Sequence, residues 1–424
     1  FPGCADKMEQ AGLADEMVFY GETARIRGFD PVKVGDVSSA IGVANIYEGL
    51  VQYSFLKRPY SIGPHLAEAM PVVSEDGLTY TFKIRRGIFF QDDPCFTNNF
   101  GKGRELVAAD FVYSLKRMAD MKNESTGYWA FNDRIAGLDE FRNASAGKAP
   151  TDYDAKVEGL DASERYVFQI RLKRPYPQLM WVLTMQYAFA MPREAVEYYG
   201  EEFINHPVGT GPFVLASWKR NYSVEYVRNP KWRQTGRVEL YPPEGEPGDR
   251  EKGLMDDAGK QIPFIDRIVQ YVIDDQTTQW LKFVAGELES SGVSRDNWNA
   301  VIRPDGALTQ GLIKRGVRLY ATPTLDVYYI GFNMDDPVVG KNKKLRQALT
   351  CAFNSEEWIQ FWNGRVVRAK GPIPPGVAGH DDKDAVYKFD LECARALMAE
   401  AGYPGGIDPA TQKKIQLTIE IGHA

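Results

Sequence analysis

The sequence predicts an α/β protein with several sheets and two or three domains, on three observations. Stretches that alternate apolar and polar residues, the period of a half-buried strand, recur between stretches of helical period in both halves of the chain. The length, 424 residues, is well beyond the roughly 100–200 of a single domain. Clusters of Gly, Pro, Asp and Glu punctuate the periodic stretches, as turns and loops require.

Taken in order, GETARIRGFDP (21–31) reads as a strand that stops at Asp30-Pro31, where proline removes a ladder donor. SSAIGVANIYEGLVQY (38–53) has Ile41, Ala44, Ile46, Leu50 and Val51 near helical spacing. LTYTFKIRRGIFF (78–90) alternates Tyr80, Phe82 and Ile84 with Thr79, Thr81 and Lys83, a strand entered through the Glu75-Asp76-Gly77 turn. In AADFVYSLKRMAD (108–120), Phe111, Val112, Leu115 and Met118 share one helix face, with Lys116 and Arg117 expected opposite. RYVFQIRL (165–172) is a further strand. FVLASW and SVEYVRNP (213–230) form a hairpin that turns at Asn221. Residues 236–262 lack periodicity and read as a surface insertion. IDRIVQYVI (265–273) is a strand, and TTQWLKFVAGELES a helix ending near Gly286. VYYIGFN (327–333), KLRQALTCAF and KIQLTIEIG (414–422) read as strand, helix and strand.

Composition narrows the function. A formal net charge of -6 argues against holding nucleic acid or an anionic membrane through a broad basic surface. No run of about 18 apolar residues occurs, so no helix is long and apolar enough to cross a bilayer. Aromatic residues reach 12%, enough to line a cleft as well as a core. Cys4, Cys95, Cys351 and Cys393 show no CxxC spacing and no nearby His cluster, which argues against a metal site. Cys351 and Cys393 lie on helical stretches and read as buried thiols; a disulfide between them requires those helices to pack. Cys4 follows Phe-Pro-Gly, which suits a lipid-modified cysteine that tethers the chain outside the cytoplasm.

A catalytic site is not written in the chain. Gly209-Thr210-Gly211 lacks the third glycine of a dinucleotide loop, and no P-loop, GxSxG or HExxH pattern occurs. The histidines, His65, His206, His380 and His423, have no carboxylate or cysteine at triad or ligand spacing. Asp92-Asp93 and Asp335-Asp336 sit beside turn residues and read as loop acids rather than a glycosidase pair. HPVGTGPFVLASW (206–218) then reads as a stiff link between two lobes: prolines restrict it, and its glycines reach angles closed to other residues.

The order of motifs resembles the family 5 extracellular solute-binding proteins, which include oligopeptide- and dipeptide-binding components of bacterial ABC importers. The resemblance is carried by FDP, NIYEGLV, LAEAMPVVSEDGLTYTFKIRRGIFFQD, VAADFVYSLKRMAD, HPVGTGPFVLASW, RNPKW, GELES, KLRQALTCAFNSEEWI and GPIPPGVAG, in that order over nearly the whole chain. It implies a two-lobed periplasmic-binding-protein-like clamshell (type II, cluster C) with an extra inserted domain. Residues 1–20 would be a lead or tether, 21–52 and 192–322 a discontinuous lobe I, 53–191 the inserted domain II, and 323–424 an incomplete lobe III. The family's second lobe continues past Ala424, so lobe I is expected to expose sheet edges. The continuation would also hold the aspartate that pairs with a peptide's amino terminus. Two loops, 90–106 and 236–262, are longer than the family's and are expected to lie at the surface.

By position, the resemblance implies ligand contacts at Val34 and Val37, where backbone pairs with an extended peptide. It implies further contacts at Tyr128 and Trp129, at Met185 and Gln186, at Ser291 and Gly292, and at Tyr329, Trp362 and Gly364. No catalytic residue, metal or cofactor is implied. The expected partners are a short peptide and the permease subunits of an ABC transporter in the inner membrane, with a monomeric binder in the periplasm or on the cell surface. An oligosaccharide or a nickel chelate is the alternative ligand, and a secreted hydrolase the alternative class.

Overall fold

The computed structural model describes residues 16–232, 239–383 and 387–419; Cys4 lies outside them. Contacts divide the chain into two units, Phe1–Gly292 and Val293–Ala424. The division falls at Gly292, upstream of the expected start of lobe III at Pro323.

In the first unit, β1 (Val18–Thr23) is followed by α1 (Val37–Ile46), the hairpin β2 (Val51–Tyr53) and β3 (Ile62–Pro64), then β4 (Val72–Val73) and β5 (Thr79–Lys83). Next come α2 (Ala108–Ala119), α3 (Leu138–Ser145), β6 (Leu160–Glu164), β7 (Val167–Arg171) and α4 (Arg193–Tyr199). The unit closes with β8 (Phe213–Lys219), β9 (Ser223–Arg228), β10 (Arg267–Val272) and α5 (Gln276–Val284). One sheet has the order β1-β10-β9-β8, the other β4-β5-β7-β6. β1 runs parallel to β10, with Val18 opposite Arg267 and Thr23 opposite Val272. A strand from the start of the chain is thus completed by one about 250 residues later.

The two hairpins follow the local chemistry. Asn221 takes a φ of 58° between β8 and β9, the left-handed turn geometry that asparagine tolerates. Gly77, at φ 69°, turns the chain from β4 into β5. Phe82 stands opposite Phe168 across β5 and β7, and Phe111 of α2 stacks on Phe168 at 5.7 Å. The second sheet therefore buries one face under α2.

Several expectations are corrected. The first strand is Val18–Thr23, not 21–31, because it ends where β10 ends; beyond it the Phe29 amide pairs with the Ile204 carbonyl at 2.9 Å. The face that α1 buries is Ser39, Gly42, Val43 and Ile46, while Ile41 is exposed, and the helix stops before Tyr47. Lys116 and Arg117 are buried rather than solvated. Lys116 reaches the Tyr153 carbonyl at 2.9 Å. Arg117 makes a bidentate pair with Asp30 at 2.6 and 2.7 Å, both side chains almost fully enclosed. Neither long loop is wholly superficial: Cys95 and Phe96 are buried in one, Met255 and Asp249 in the other, where Arg58 meets Asp249.

The glycines of HPVGTGPF serve close approach, not unusual torsion, since neither Gly209 nor Gly211 has a positive φ. A Cβ on Gly209 would stand 2.0 Å from the Ile46 carbonyl oxygen, and one on Gly211 2.6 Å from it. The segment is a buried hub within the first unit. The Gly211 amide donates to the Ile46 carbonyl (2.7 Å), the Val208 amide to the Tyr47 hydroxyl (3.1 Å), and the Thr210 hydroxyl to buried Glu48 (2.8 Å).

The second unit carries α6 (Lys343–Ala352), α7 (Ser355–Phe361) and α8 (Leu391–Glu400), then the short ribbon β11 (Ile407–Asp408) and β12 (Lys413–Lys414). The alternating stretch 327–333 is not a strand. No neighbouring strand pairs with it among the described residues, and Tyr328, Tyr329 and Ile330 stay exposed. The expected strand at 414–422 is likewise confined to Lys413–Lys414, with 415–419 irregular and 420–422 outside the described residues.

Replacing Asp30 by alanine leaves the Arg117 charge buried and alone, which costs about 3–5 kcal/mol. Denaturant unfolding should report that loss, and the double change Asp30→Leu with Arg117→Met should recover most of it. A second expectation concerns acid. Burial acts to raise the Asp92 carboxyl, but Lys231, Lys102 and the Gly103 amide outweigh it and bring it down to about 2. A lowered carboxylate stabilises above its unfolded value and loses that contribution as pH falls through it. Melting temperature should therefore drop between pH 4 and 2, and less so in Asp92→Asn; an identical profile in the variant would contradict this.

Candidate functional site

The first unit gathers three of the expected segments around one carbonyl. After Asp30-Pro31 the chain turns back on itself, with the Lys33 and Val34 amides both donating to the Asp30 carbonyl at 3.1 and 3.2 Å. The Val34 side chain is buried. Its carbonyl accepts from Gln186 Nε2 at 3.1 Å and, more loosely, from the Thr126 hydroxyl at 3.4 Å. Thr126 in turn lies 3.1 Å from the Tyr187 hydroxyl. Segments near 34, 126 and 186 are thereby locked together, and the Asp30–Arg117 pair holds the first of them from beneath.

The outer surface of this knot includes main chain at Gly35. Lys33, Gly35 and Val37 are exposed while Val34 between them is not. Gly35 lies against Thr126, where a Cβ would stand 3.0 Å from the hydroxyl oxygen. Asp36 adopts extended backbone and caps α1, one carboxylate oxygen accepting from the Ser39 amide at 2.8 Å. Its other oxygen is enclosed without a hydrogen bond among the described residues, 4.0 Å from Arg27 Nε. The exposed main chain at Gly35, which carries no side chain to cover it, can pair with a ligand's own main-chain groups.

Tyr128 and Trp129 part company. Tyr128 is buried, its ring lies 4.0 Å from the Arg142 guanidinium, and its hydroxyl donates to Asp139. Burial first, then the bond to Asp139, pushes its phenol well above the ordinary range. Its polar handle is therefore committed within the unit. Trp129 is 68% exposed and offers a free indole face. Met185 is half-buried against the core, with extended backbone leading into Gln186. Ser291 and Gly292 end the first unit, the Ser291 hydroxyl bonding to the Gly292 carbonyl at 3.0 Å. No hydrogen bond joins them to the Val34 knot among the described residues.

The remaining expected residues belong to the second unit. Tyr329 is 84% exposed on the irregular stretch. Trp362 caps α7 and lies beside Trp358 and Phe361, at 6.2 and 5.6 Å between ring centres. The Arg365 guanidinium sits 4.9 Å from the Trp298 ring and 5.7 Å from Trp362. Gly364 has a φ of 70°, and its amide returns to the Ile359 carbonyl at 3.0 Å, which closes the turn. The result is an aromatic and guanidinium surface able to stack on planar groups.

Sequence reasoning missed Thr126, Tyr187, Asp36, Trp358 and Phe361. The Thr126-Gly127 pair carries a weak signal, since a Cβ on Gly127 would stand 2.2 Å from the Tyr187 ring. That contact is invisible without the partner. Among the described residues, no group of three His, Cys, Asp or Glu gathers at metal-binding distance.

A model of the bacterial extracellular solute-binding proteins, family 5 Middle, matches residues 61–422. Heme-binding protein A of Haemophilus influenzae is 26% identical over 393 residues, which span 90% of this chain and 61% of that protein. Di/tripeptide-binding protein 2 of Pseudomonas aeruginosa is 25% identical, over 88% of this chain and 62% of the relative. The dipeptide binding protein from Pseudoalteromonas sp. SM9913 in complex with Met-Leu superposes with a TM-score of 0.69 at 19% identity, over 93% of this chain and 68% of that one. This chain thus spans somewhat less than two thirds of the length of these curated relatives.

Adding a side chain where Gly35 lies against Thr126 tests the knot. Gly35→Val should press on Thr126 and cost about 1–3 kcal/mol by denaturant unfolding. Thr126→Ala in the same molecule should return part of the loss.

Proposed function

Because the chain belongs to the bacterial extracellular solute-binding proteins of family 5, we propose that it is the substrate-binding component of an ABC importer and takes up short peptides outside the cytoplasm. Family 5 solute-binding proteins are non-enzymatic binding components of transporters. A binder of this kind holds its solute and passes it unaltered to membrane permease subunits.

The observation that carries the peptide reading is the turn at 33–37, exposed at Lys33, Gly35 and Val37 and pinned through the Val34 carbonyl to Gln186 and Thr126. A pinned, exposed stretch of main chain recognises what all peptides share, their own amides and carbonyls, by backbone hydrogen bonding. Trp129 supplies an exposed aromatic face that grips without reading sequence. A di/tripeptide-binding relative and a dipeptide-binding structural neighbour support the same class of ligand. On this reading Val37, Met185, Ser291 and Gly292 are further contacts within the first unit, while Tyr329, Trp362 and Gly364 stay contacts that the family resemblance implies.

Calorimetric titration with pooled di- to pentapeptides should release heat, while oligosaccharides, nickel chelates and heme should not. Trp129→Ala should weaken peptide binding by about 2 kcal/mol, roughly thirty-fold, without moving the melting temperature. Silence with every peptide pool, together with saturable heat from heme or a chelate, would reject the peptide and keep the binder.

A further inference from the structure

Within the second unit, α6 and α8 lie antiparallel and are tied at both ends. Asn342 caps α6 by accepting from the Leu345 amide at 3.0 Å, and its amide group donates to the Ala401 carbonyl just beyond α8 at 2.8 Å. At the opposite end, the amide of Asp390, which caps α8, donates to the Cys351 carbonyl at 2.9 Å. Lys344 Nζ stands 2.6 Å from Glu400 Oε2. Cys351 lies on the buried face of α6 with Leu345 and Ala348, and Cys393 sits in the first turn of α8. Their sulfurs are 3.2 Å apart and not bonded to each other.

We propose that Cys351 and Cys393 form a disulfide that staples α6 to α8 and closes residues 352–392 into a constrained loop. A disulfide needs its sulfurs at about 2.05 Å, so roughly 1 Å of side-chain movement suffices with the helices left in place. The helices are aligned by their caps and by the Lys344–Glu400 pair, not by the sulfurs, so the geometry exists before the bond. The closed loop carries α7, Trp362 and Gly364, and then the Gly- and Pro-rich stretch 371–379, which has no helix or strand. Cross-linking its ends removes freedom mainly from the unfolded chain. An extracellular location would keep such a bond oxidised. The staple is indifferent to which solute binds.

The oxidant is an exogenous disulfide, for which oxidised glutathione serves as probe. Burial and the neighbouring Cys393 push the Cys351 thiol up to about 11, and Cys351 is the more enclosed of the two. The outside disulfide is therefore met by Cys393. Its sulfur, as thiolate, attacks glutathione disulfide, breaks that S–S bond and releases one glutathione thiolate. Cys351 then gives up its proton and attacks the Cys393 sulfur of the mixed disulfide, releasing the second glutathione. Two electrons pass from the cysteine pair to glutathione disulfide, and the two protons leave with the two glutathione thiols. Cys95 is outside this exchange: it lies in the core of the first unit, its thiol held far above the ordinary range by burial and by Asp93.

The full chain is incubated with excess oxidised glutathione, alkylated under denaturing conditions without reductant, and digested for mass spectrometry. A linked peptide pair containing Cys351 and Cys393, lighter by two hydrogens than the free peptides and split by dithiothreitol, is the expected result. Recovery of both cysteines alkylated, left as glutathione adducts, or joined to another cysteine overturns the proposal. Reduction should also lower the melting temperature of the oxidised wild type by about 5 °C or more. Cys393→Ser should show that lower value already and no longer respond to reductant. Oxidised and reduced wild type melting alike would mean that the sulfurs do not staple the unit.

Discussion

The buried pair of Asp30 and Arg117 is the constraint on which the first unit turns. Each charge loses several kcal/mol of hydration on burial, and only mutual attraction with good hydrogen-bond geometry offsets it. Both conditions are met: the contact is bidentate, and Asp30 also accepts from the Val32 amide at 3.2 Å. Arg117 is further enclosed by the Phe203 ring, 5.0 Å away, and by Met191. Asp30 lies just ahead of the turn at 33–37 and Arg117 on the helix that covers the second sheet. The pair therefore joins the site-bearing turn to the element that shields the core.

Around it, the unit is assembled by main chain meeting main chain. Gly209 and Gly211 let one loop lie on the Ile46 carbonyl at the end of α1, and Gly103 lets another lie on the Phe90 carbonyl, where a Cβ would come within 2.0 Å. Buried Glu48 gathers Thr210, Trp232 and His65 at 2.8, 3.2 and 3.0 Å, so the polar groups brought inside find partners. Close backbone approach and satisfied polar groups both resist deformation. On the proposed reading, backbone that offers its hydrogen bonds to a flexible ligand needs such a base, because the ligand's own ordering already costs free energy.

The second unit is organised differently. Its packed helix pair is α6 and α8 with their caps, while aromatic and apolar side chains at 328–330, 353, 358 and 361 remain exposed. Alternation at 327–333 is a real strand pattern, yet a strand exists only by hydrogen-bonding a neighbour. The aromatic group around Trp358 and the Arg365 guanidinium near it adjoin the turn at Asn363 and Gly364, both with positive φ.

Local chemistry sufficed where the signal is short-range. The β8–β9 hairpin was legible from its alternation and Asn221, the β5 strand from its period and Gly77, and α2, α6 and the end of α5 from apolar spacing and Gly286. The family was legible from motif order, and with it the fold class. Gln186 was named as a ligand contact, and the structure puts its amide on the Val34 carbonyl; Thr126 and Tyr187 beside it were not named, because each lies far along the chain from Val34. What the sequence determined by itself is therefore the set of elements and their kind, since propensity, capping and periodicity act within a few residues. Only tertiary structure decided that Arg117 is a buried partner of Asp30, that Gly209 is a contact and not a hinge, that Tyr128 is enclosed while Trp129 is free, and that two thiols 42 residues apart touch. Each of those depends on what a distant segment brings to the same few ångströms, and no local pattern carries that information.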